Sequence, residues 1–266
     1  MLISIDQIKK LSPLIHCITN PISINQCANA ILAVGGRPMM AEHPREVAEI
    51  TETANALVLN TGNITDVRMQ SIAISAKTAK RNGIPMIVDA VGTACSKMRL
   101  EYLLELFEQA SPTVIKGNYS EITALYQTGY RSSGVDADAA LSLEQVSSIA
   151  AKLAEKYRCV VLASGKVDIV TDGKTLVHIK NGSPRLSSIT GTGCMLGALC
   201  GCCLSVTADF SAAVTACAML GISGQLTQNA KGSGSFMVEL FDNLSNLDDA
   251  ALKKYLDIEV TEIEKI

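Results

Sequence analysis

Residues 56–92 read ALVLNTGNITDVRMQSIAISAKTAKRNGIPMIVDAVG, and this stretch decides the architecture. Ala56–Leu59 and Pro85–Asp89 are short apolar runs without polar alternation, the pattern of strands buried on both faces. Between them, Asp66–Asn82 has the length and mixed character of a helix. Strand, helix, strand in that order predicts a parallel β-α-β unit. The alternation continues outward in both directions. Leu14–Thr19, Thr113–Lys116 and Cys159–Ala163 supply further strands. Ser23–Val34, Pro44–Thr53, Leu100–Ala110, Ser120–Tyr126 and Leu143–Tyr157 supply further helices. Asp168–Thr171 and Leu176–Ile179 flank Asp172-Gly173, a hairpin signal that predicts an antiparallel edge on the parallel sheet. From Gly191 onward the pattern predicts helices alone, with Ala-rich stretches over Met195–Leu204 and Ala212–Ala230. The expected fold class is therefore α/β, with a mainly parallel central sheet and helices on both faces. No Pro/Gly/Ser-rich linker, charge run or internal repeat divides the chain, so one domain over residues 1–266 is expected.

Composition narrows the partners. Of 266 residues, 48% are hydrophobic and 18% charged, and the formal net charge is −3. A nucleic-acid or anionic-membrane partner calls for a basic face, which this balance does not favour. The near absence of aromatics (4%, no Trp) removes base-stacking platforms as well. The segment before Leu14 has no apolar signal core with a small-residue cleavage site. The most apolar run, Met195–Val206, is too short and too rich in Gly to span a bilayer. A cytoplasmic protein is expected. Nine Cys is an odd number, and most of them stand in apolar stretches, as buried free thiols do. Cys200, Cys202 and Cys203 cluster, but no C-x-x-C pair or neighbouring His makes a zinc pattern.

In open parallel sheets, ligands bind beyond the carboxyl ends of the strands. The residues there are Asn20, then Asn60-Thr61-Gly62-Asn63, then Asp89 with Val91-Gly92, then Lys116-Gly117-Asn118, then Ser164-Gly165. Polar residues and glycines thus gather at one edge. The strongest feature is Thr190-Gly191-Thr192-Gly193-Cys194, which leads straight into the apolar segment Met195–Leu204. Such a turn presents free helix N–H groups to an anion, although it also serves as a plain turn before a buried helix. No Walker A loop or G-x-G-x-x-G fingerprint occurs. Asn118-Tyr119-Ser120-Glu121 has the spacing of a capping box. Glu121 there is equally a candidate, with Asp89, to hold a hydrated Mg²⁺, which needs only one or two carboxylates. Cys194, in the first turn of its helix, is a candidate to accept a proton from a substrate hydroxyl or simply a small residue that fits the turn. A nucleophilic role for it, with His16 or His43 as base, has no support from spacing.

These residues resemble the hydroxyethylthiazole kinase family. The similarity runs in order through Pro13–Asn20, Ala56–Gly62, Asp89-Ala90-Val91-Gly92, Ile115–Ile122, Thr190–Cys194 and Lys231–Phe236, nearly the whole chain. Cys194 is the most specific part, since most ribokinase-like kinases carry Asp there. The resemblance implies a ribokinase-like three-layer α/β/α fold and ATP-dependent phosphorylation of 4-methyl-5-(2-hydroxyethyl)thiazole. It implies that Met40, Gly191 and Asn20 contact the thiazole and that Lys116 and Ser164 contact ATP. It further implies that Asp89 and Glu121 position Mg²⁺, and that Gly191 to Cys194 form an anion hole, with Gly193 and Cys194 at the reacting groups. It implies a homotrimer as well. Ala90, Thr192 and Ser233 depart from the family's Pro, Ala and Pro, and Thr192 is expected to bring a hydroxyl into the anion hole. Another ribokinase-like kinase of the hydroxymethylpyrimidine or pyridoxal type, or a thiazole-binding protein without turnover, would share much of this pattern.

Overall fold

A computed structural model describes residues 2–132 and 141–263. Its chain order is α1 (Ile5–Leu11), β1 (Leu14–Ile18), α2 (Ile24–Ala33), β2 (Arg37–Met39), α3 (Val47–Thr53), β3 (Ala56–Asn60), α4 (Asp66–Asn82), β4 (Met86–Asp89), α5 (Lys97–Gln109), β5 (Val114–Asn118), α6 (Tyr119–Tyr126) and α7 (Leu143–Tyr157). Then follow β6 (Val160–Ser164), β7 (Asp168–Thr171), β8 (Thr175–Ile179), a 3₁₀ turn at Pro184–Ser188, α8 (Thr192–Leu204), α9 (Phe210–Gln225), α10 (Ser233–Asn246), α11 (Asp249–Tyr255) and β9 (Ile258–Glu262). The strands form one sheet in the order β2-β1-β3-β4-β5-β6-β7-β8-β9. The first six run parallel and the last three antiparallel.

The three layers follow from the period of the strands. Successive side chains leave opposite faces, so Val58 joins one hydrophobic cluster while Leu57 and Leu59 join the other. The first cluster packs the sheet against α2, α8, α9 and α10; the second packs it against α4, α5 and α7. Both faces are thus covered, which is why the parallel strands carry no polar alternation. No described helix is long and apolar enough to cross a membrane.

The expected strands and the hairpin are present, but three expectations need correction. The region after Gly191 is not helical throughout: β9 returns to pair antiparallel with β8. α9 ends at Gln225, short of Ala230. A three-residue strand, β2, extends the parallel edge beside β1. Both extra strands lie at edges of the sheet, where solvent on one side loosens the apolar requirement that makes central strands visible.

α8 lies directly on the sheet. A Cβ at Gly201 would stand 2.5 Å from Val58 Cγ2 and 3.2 Å from Ile15 Cγ2, and one at Gly197 3.8 Å from Asp89 Oδ2. Glycines one turn apart let the helix axis approach where larger residues would lift it. Its first turn thereby comes down beside the strand tips.

Candidate active site

Strand register assembles the site. Asn60 stands opposite Asp89, and Asp89 opposite Lys116. Three side chains in register across neighbouring strands leave the same face, here the face under α8. Lys116 Nζ donates to Asp89 Oδ2 at 2.9 Å, and Asn60 Nδ2 donates to the same oxygen at 2.9 Å. The ion pair is buried, with side chains 5% and 2% exposed. Burial draws the Lys116 ammonium down, but the charge and hydrogen bond of Asp89, with Cys194 and Glu121 nearby, together outweigh it and hold Lys116 above its usual range. The Asp89 carboxyl is lifted by burial and pulled back by Lys116 and Asn60. Its second oxygen, Oδ1, is buried and has no hydrogen-bond partner among the described residues. A buried carboxylate oxygen left in this state is costly unless something bound there completes it.

The turn at 190–194 closes over this pair. Gly191 adopts φ +98°, a left-handed conformation that favours glycine, and caps α8 without any side-chain hydrogen bond. The first N–H groups of a helix have no partner inside it. At α8 they belong to Thr192, Gly193 and Cys194, all of which line the cleft. A Cβ at Gly193 would lie 3.6 Å from Lys116 Nζ, so the ammonium and the bare amides face one spot. The Thr192 hydroxyl does not enter that spot, contrary to expectation. It donates back to Leu186 O at 2.8 Å, with Ile189 O at 3.2 Å. It pins the 3₁₀ turn to the start of α8, and the anion-facing amides stay clear.

Cys194 Sγ accepts from Asn20 Nδ2 at 3.2 Å and Asn60 Nδ2 at 3.3 Å. Asn60 is the hub: its Oδ1 takes the Gly62 N–H at 2.7 Å, while its amide nitrogen serves both Asp89 and Cys194. Asn20 Oδ1 in turn receives Ser23 N–H at the entry to α2. Neither His16 nor His43 touches Cys194. The His16 ring nitrogens meet Thr51 Oγ1 and Ala41 O, each at 2.9 Å, and His43 Nδ1 accepts Arg45 N–H. Among the described residues no group of His, Cys, Asp and Glu forms a dedicated metal cage.

Glu121 completes the far wall. Its Oε2 accepts Asn118 N–H and its Oε1 accepts Gly92 N–H, both at 2.7 Å, while Asn118 Oδ1 accepts Glu121 N–H at 2.9 Å. The capping box is therefore real, and the same carboxyl also ties the β4 turn to the β5 tip. Burial, with the nearby Asp89 charge, pushes Glu121 up to about 7.

The cleft these groups line is about 600 Å³ and includes Asn20, Asp89, Lys116, Glu121, Ser164 and the whole of Thr190–Cys194. Ser164 Oγ donates to Gly117 O at 3.3 Å. Met40 is half-buried against the first hydrophobic cluster and is not part of this chain's cleft wall. Of the residues expected at the site, all except Met40 are thus brought together. Asn60 carries more of the network than its place in the sequence announced. Its only signal was a polar residue closing an apolar run.

A buried lysine–carboxylate pair at strand tips, facing the uncapped start of a glycine-bearing helix, makes a polar, anion-compatible cleft on a three-layer fold of the ribokinase-like class. The fold has solved relatives. The pyridoxal kinase from Staphylococcus aureus in complex with ADP superposes with a TM-score of 0.65 at 14% identity, covering 94% of this chain and 98% of that one, which shows the shared fold alone. The chain belongs to the hydroxyethylthiazole kinase family, whose model matches residues 5–250. Hydroxyethylthiazole kinase 2 from Clostridium botulinum is 47% identical over 253 residues, covering 93% of this chain and 96% of that protein. The structure of a hydroxyethylthiazole kinase protein from Pyrococcus horikoshii OT3 matches with a TM-score of 0.89 at 31% identity, covering 97% of each chain. The family is one of ATP-dependent phosphotransferases of thiamine biosynthesis.

Proposed function

We propose that transfer takes place directly in line between ATP and the thiazole alcohol at the spot shared by Lys116 and the amides of Thr192, Gly193 and Cys194. The observation that carries this reading is the uncapped N-terminus of α8 facing a buried lysine held in an ion pair with Asp89. Phosphoryl transfer asks little covalent chemistry of a protein; positioning and charge stabilisation dominate. Lys116 and Ser164 would hold the nucleotide, while Asn20, the Gly191 backbone and Met40 would hold the thiazole. Met40 lies outside its own chain's cleft wall, and in the homotrimer that we propose a neighbouring chain would bring its Met40 to the thiazole.

Asp89 and Glu121 suit a hydrated Mg²⁺. Asp89 Oδ1 is a free buried acceptor, and Glu121, whose oxygens already receive backbone N–H groups, would act through water. When bound, Mg²⁺ neutralises charge on the transferring phosphates. Lys116 holds Asp89 in place, and Asn60 aligns Asp89 with Cys194. The Cys194 sulfur would sit beside the substrate hydroxyl. One kinase domain over residues 1–266, working in the cytoplasm, completes the proposal.

The test is a coupled assay for ADP release with and without hydroxyethylthiazole, repeated for Cys194→Ala. Thiazole-dependent ADP release supports the reading, and its absence in the folded protein would refute it. If Cys194 is an essential base, the Ala variant loses nearly all of its kcat. If Cys194 is only a neighbour of the hydroxyl, most of kcat survives.

A further inference from the structure

Two cations line the cleft, Lys116 and Arg99. The first is bound to Asp89. Arg99 is not bound to any acid: no described carboxylate comes within ion-pair distance of its guanidinium, whereas the buried Arg68 is held by Glu42. Arg99 stands in the first turn of α5, where its own N–H is taken by Ser96 Oγ. Its guanidinium makes one hydrogen bond among the described residues, from Nη1 to Val91 O at 3.2 Å. A guanidinium has five N–H donors, so most of its capacity is unspent.

The β4 turn is shaped around this group. Val91 O is held from the other side by Thr61 Oγ1 at 3.0 Å, and Gly92 N–H by Glu121. Gly92 has φ +81°, and a Cβ there would overlap Arg99 Nη1 and press on Cζ and Cδ at 3.2 and 3.3 Å. The turn that carries Asp89 therefore also seats Arg99, half-buried, at the cleft wall. A seated but unpaired guanidinium in a cleft whose other cation is already engaged fits an incoming polyanion, and its planar fork matches phosphate oxygens.

We propose that Arg99 binds the outer phosphates of the nucleotide, the β- and γ-groups, from the side opposite α8. The inference rests on the kinase reading above and adds to it a nucleotide-binding residue. Arg99 distinguishes nucleotides by the phosphates beyond the first.

The experiment is calorimetric titration of the full-length protein and its Arg99→Gln and Arg99→Lys variants with ADP, with AMP and with hydroxyethylthiazole, alongside KM for ATP. Loss of a charge-assisted contact should weaken ADP at least about tenfold in Arg99→Gln, with AMP and thiazole changed less than about twofold. KM for ATP should rise in parallel. Arg99→Lys, which keeps the charge and can still donate to Val91 O, should fall between and keeps the test available if Arg99→Gln folds poorly. A merely structural role would shift all three ligands together, and that outcome, or unchanged ADP affinity in either variant, would overturn the proposal. Wild-type protein that releases no ADP with thiazole present would overturn the kinase reading itself, whereas an active wild type with an indifferent Arg99→Gln variant would remove only Arg99.

Discussion

Clefts lie at both ends of the sheet, and the larger of the two described is not the one that we propose as the site. At the amino ends of β5 and β6 lies a cleft of about 890 Å³, lined by Thr113, Arg158, Asp172, Lys174, Asp209 and Phe210 among others. At the carboxyl ends lies the cleft of about 600 Å³ that holds the site. At the amino end the two aspartates serve the fold, and Glu155, Arg158 and Lys174 lie exposed in solvent. Asp209 Oδ1 accepts Ser211 N–H and caps α9, and Asp172 Oδ1 accepts the N–H groups of Lys174 and Thr175. At the carboxyl end shielded groups are left open: α8 has no side-chain cap, Asp89 Oδ1 is buried without a partner among the described residues, and half-buried Arg99 spends one donor. α8 and α9 pack side by side, yet one start is sealed by a carboxylate and the other is open. Unspent hydrogen-bonding capacity that is shielded from solvent, rather than volume, sets apart the end that we propose as functional.

That contrast can be broken by substitution. The largest effect is expected from Asp89→Asn. It leaves the buried Lys116 without its counter-ion, and breaking a buried pair costs about 3–5 kcal/mol. Thermal melts should fall steeply and kcat should collapse. Gly193→Val should lower kcat by about 10²–10³-fold, the scale of losing one anion-hole donor, while the melting temperature stays close to that of the parent. Its counterpart at the sealed helix, Asp209→Ala, should do the reverse. Losing the cap should cost about 1 kcal/mol, read as a lower melting temperature with kcat unchanged. If Asp209→Ala lost activity and Gly193→Val kept it, the distinction between the two ends would collapse.

A further test uses acidity. Glu121 is pushed up to about 7, above the usual carboxylate range, so the folded state holds this proton more tightly than the unfolded one. Stability from this group is therefore fully present below the unfolded pKa near 4.5 and is lost as pH rises through about 7. Melts between pH 5 and 8 should show that decline, and Glu121→Gln should flatten it. The smallest effect is expected from Thr192→Ala. It removes a hydroxyl that bonds Leu186 O, for about 0.5–1.5 kcal/mol of stability, with kcat nearly unaltered because that hydroxyl faces away from the proposed phosphate site.

Much of this was legible in sequence, for physical reasons that particular residues make plain. Central strands such as Ala56–Asn60 and Met86–Asp89 are buried on both faces, so their apolar runs are unbroken and the polar residue that ends each one points to the site. β2 was not legible: Arg37-Pro38-Met39 is three residues long, exposed at its ends, and contains a proline. β9 was not legible either, because an edge strand such as Ile258–Glu262 leaves most of its side chains in solvent. At the site, the residue types were visible but their connections were not. Nothing local says that Asn60, Asp89 and Lys116 fall in one register, since pairing is set by long-range contacts. The direction of the Thr192 hydroxyl was misjudged because it depends on where a separate 3₁₀ turn presents its carbonyls. Arg99 stands among the charges of an ordinary amphipathic helix, and only the bend at Gly92 brings it to the cleft.

The seating of α8 makes it a lever. Gly201 rests on Val58 and Ile15 with no clearance, and it lies eight residues from Gly193, about 12 Å along the helix axis. One methyl slipped beneath Gly201 acts like a shim under the short end of a beam. It tilts the far end, and the amides that we propose to hold the phosphates swing off target although no atom near the cleft has been altered. In this enzyme, the aim of the chemistry is set by a hydrogen deep in the core, where no ligand ever reaches.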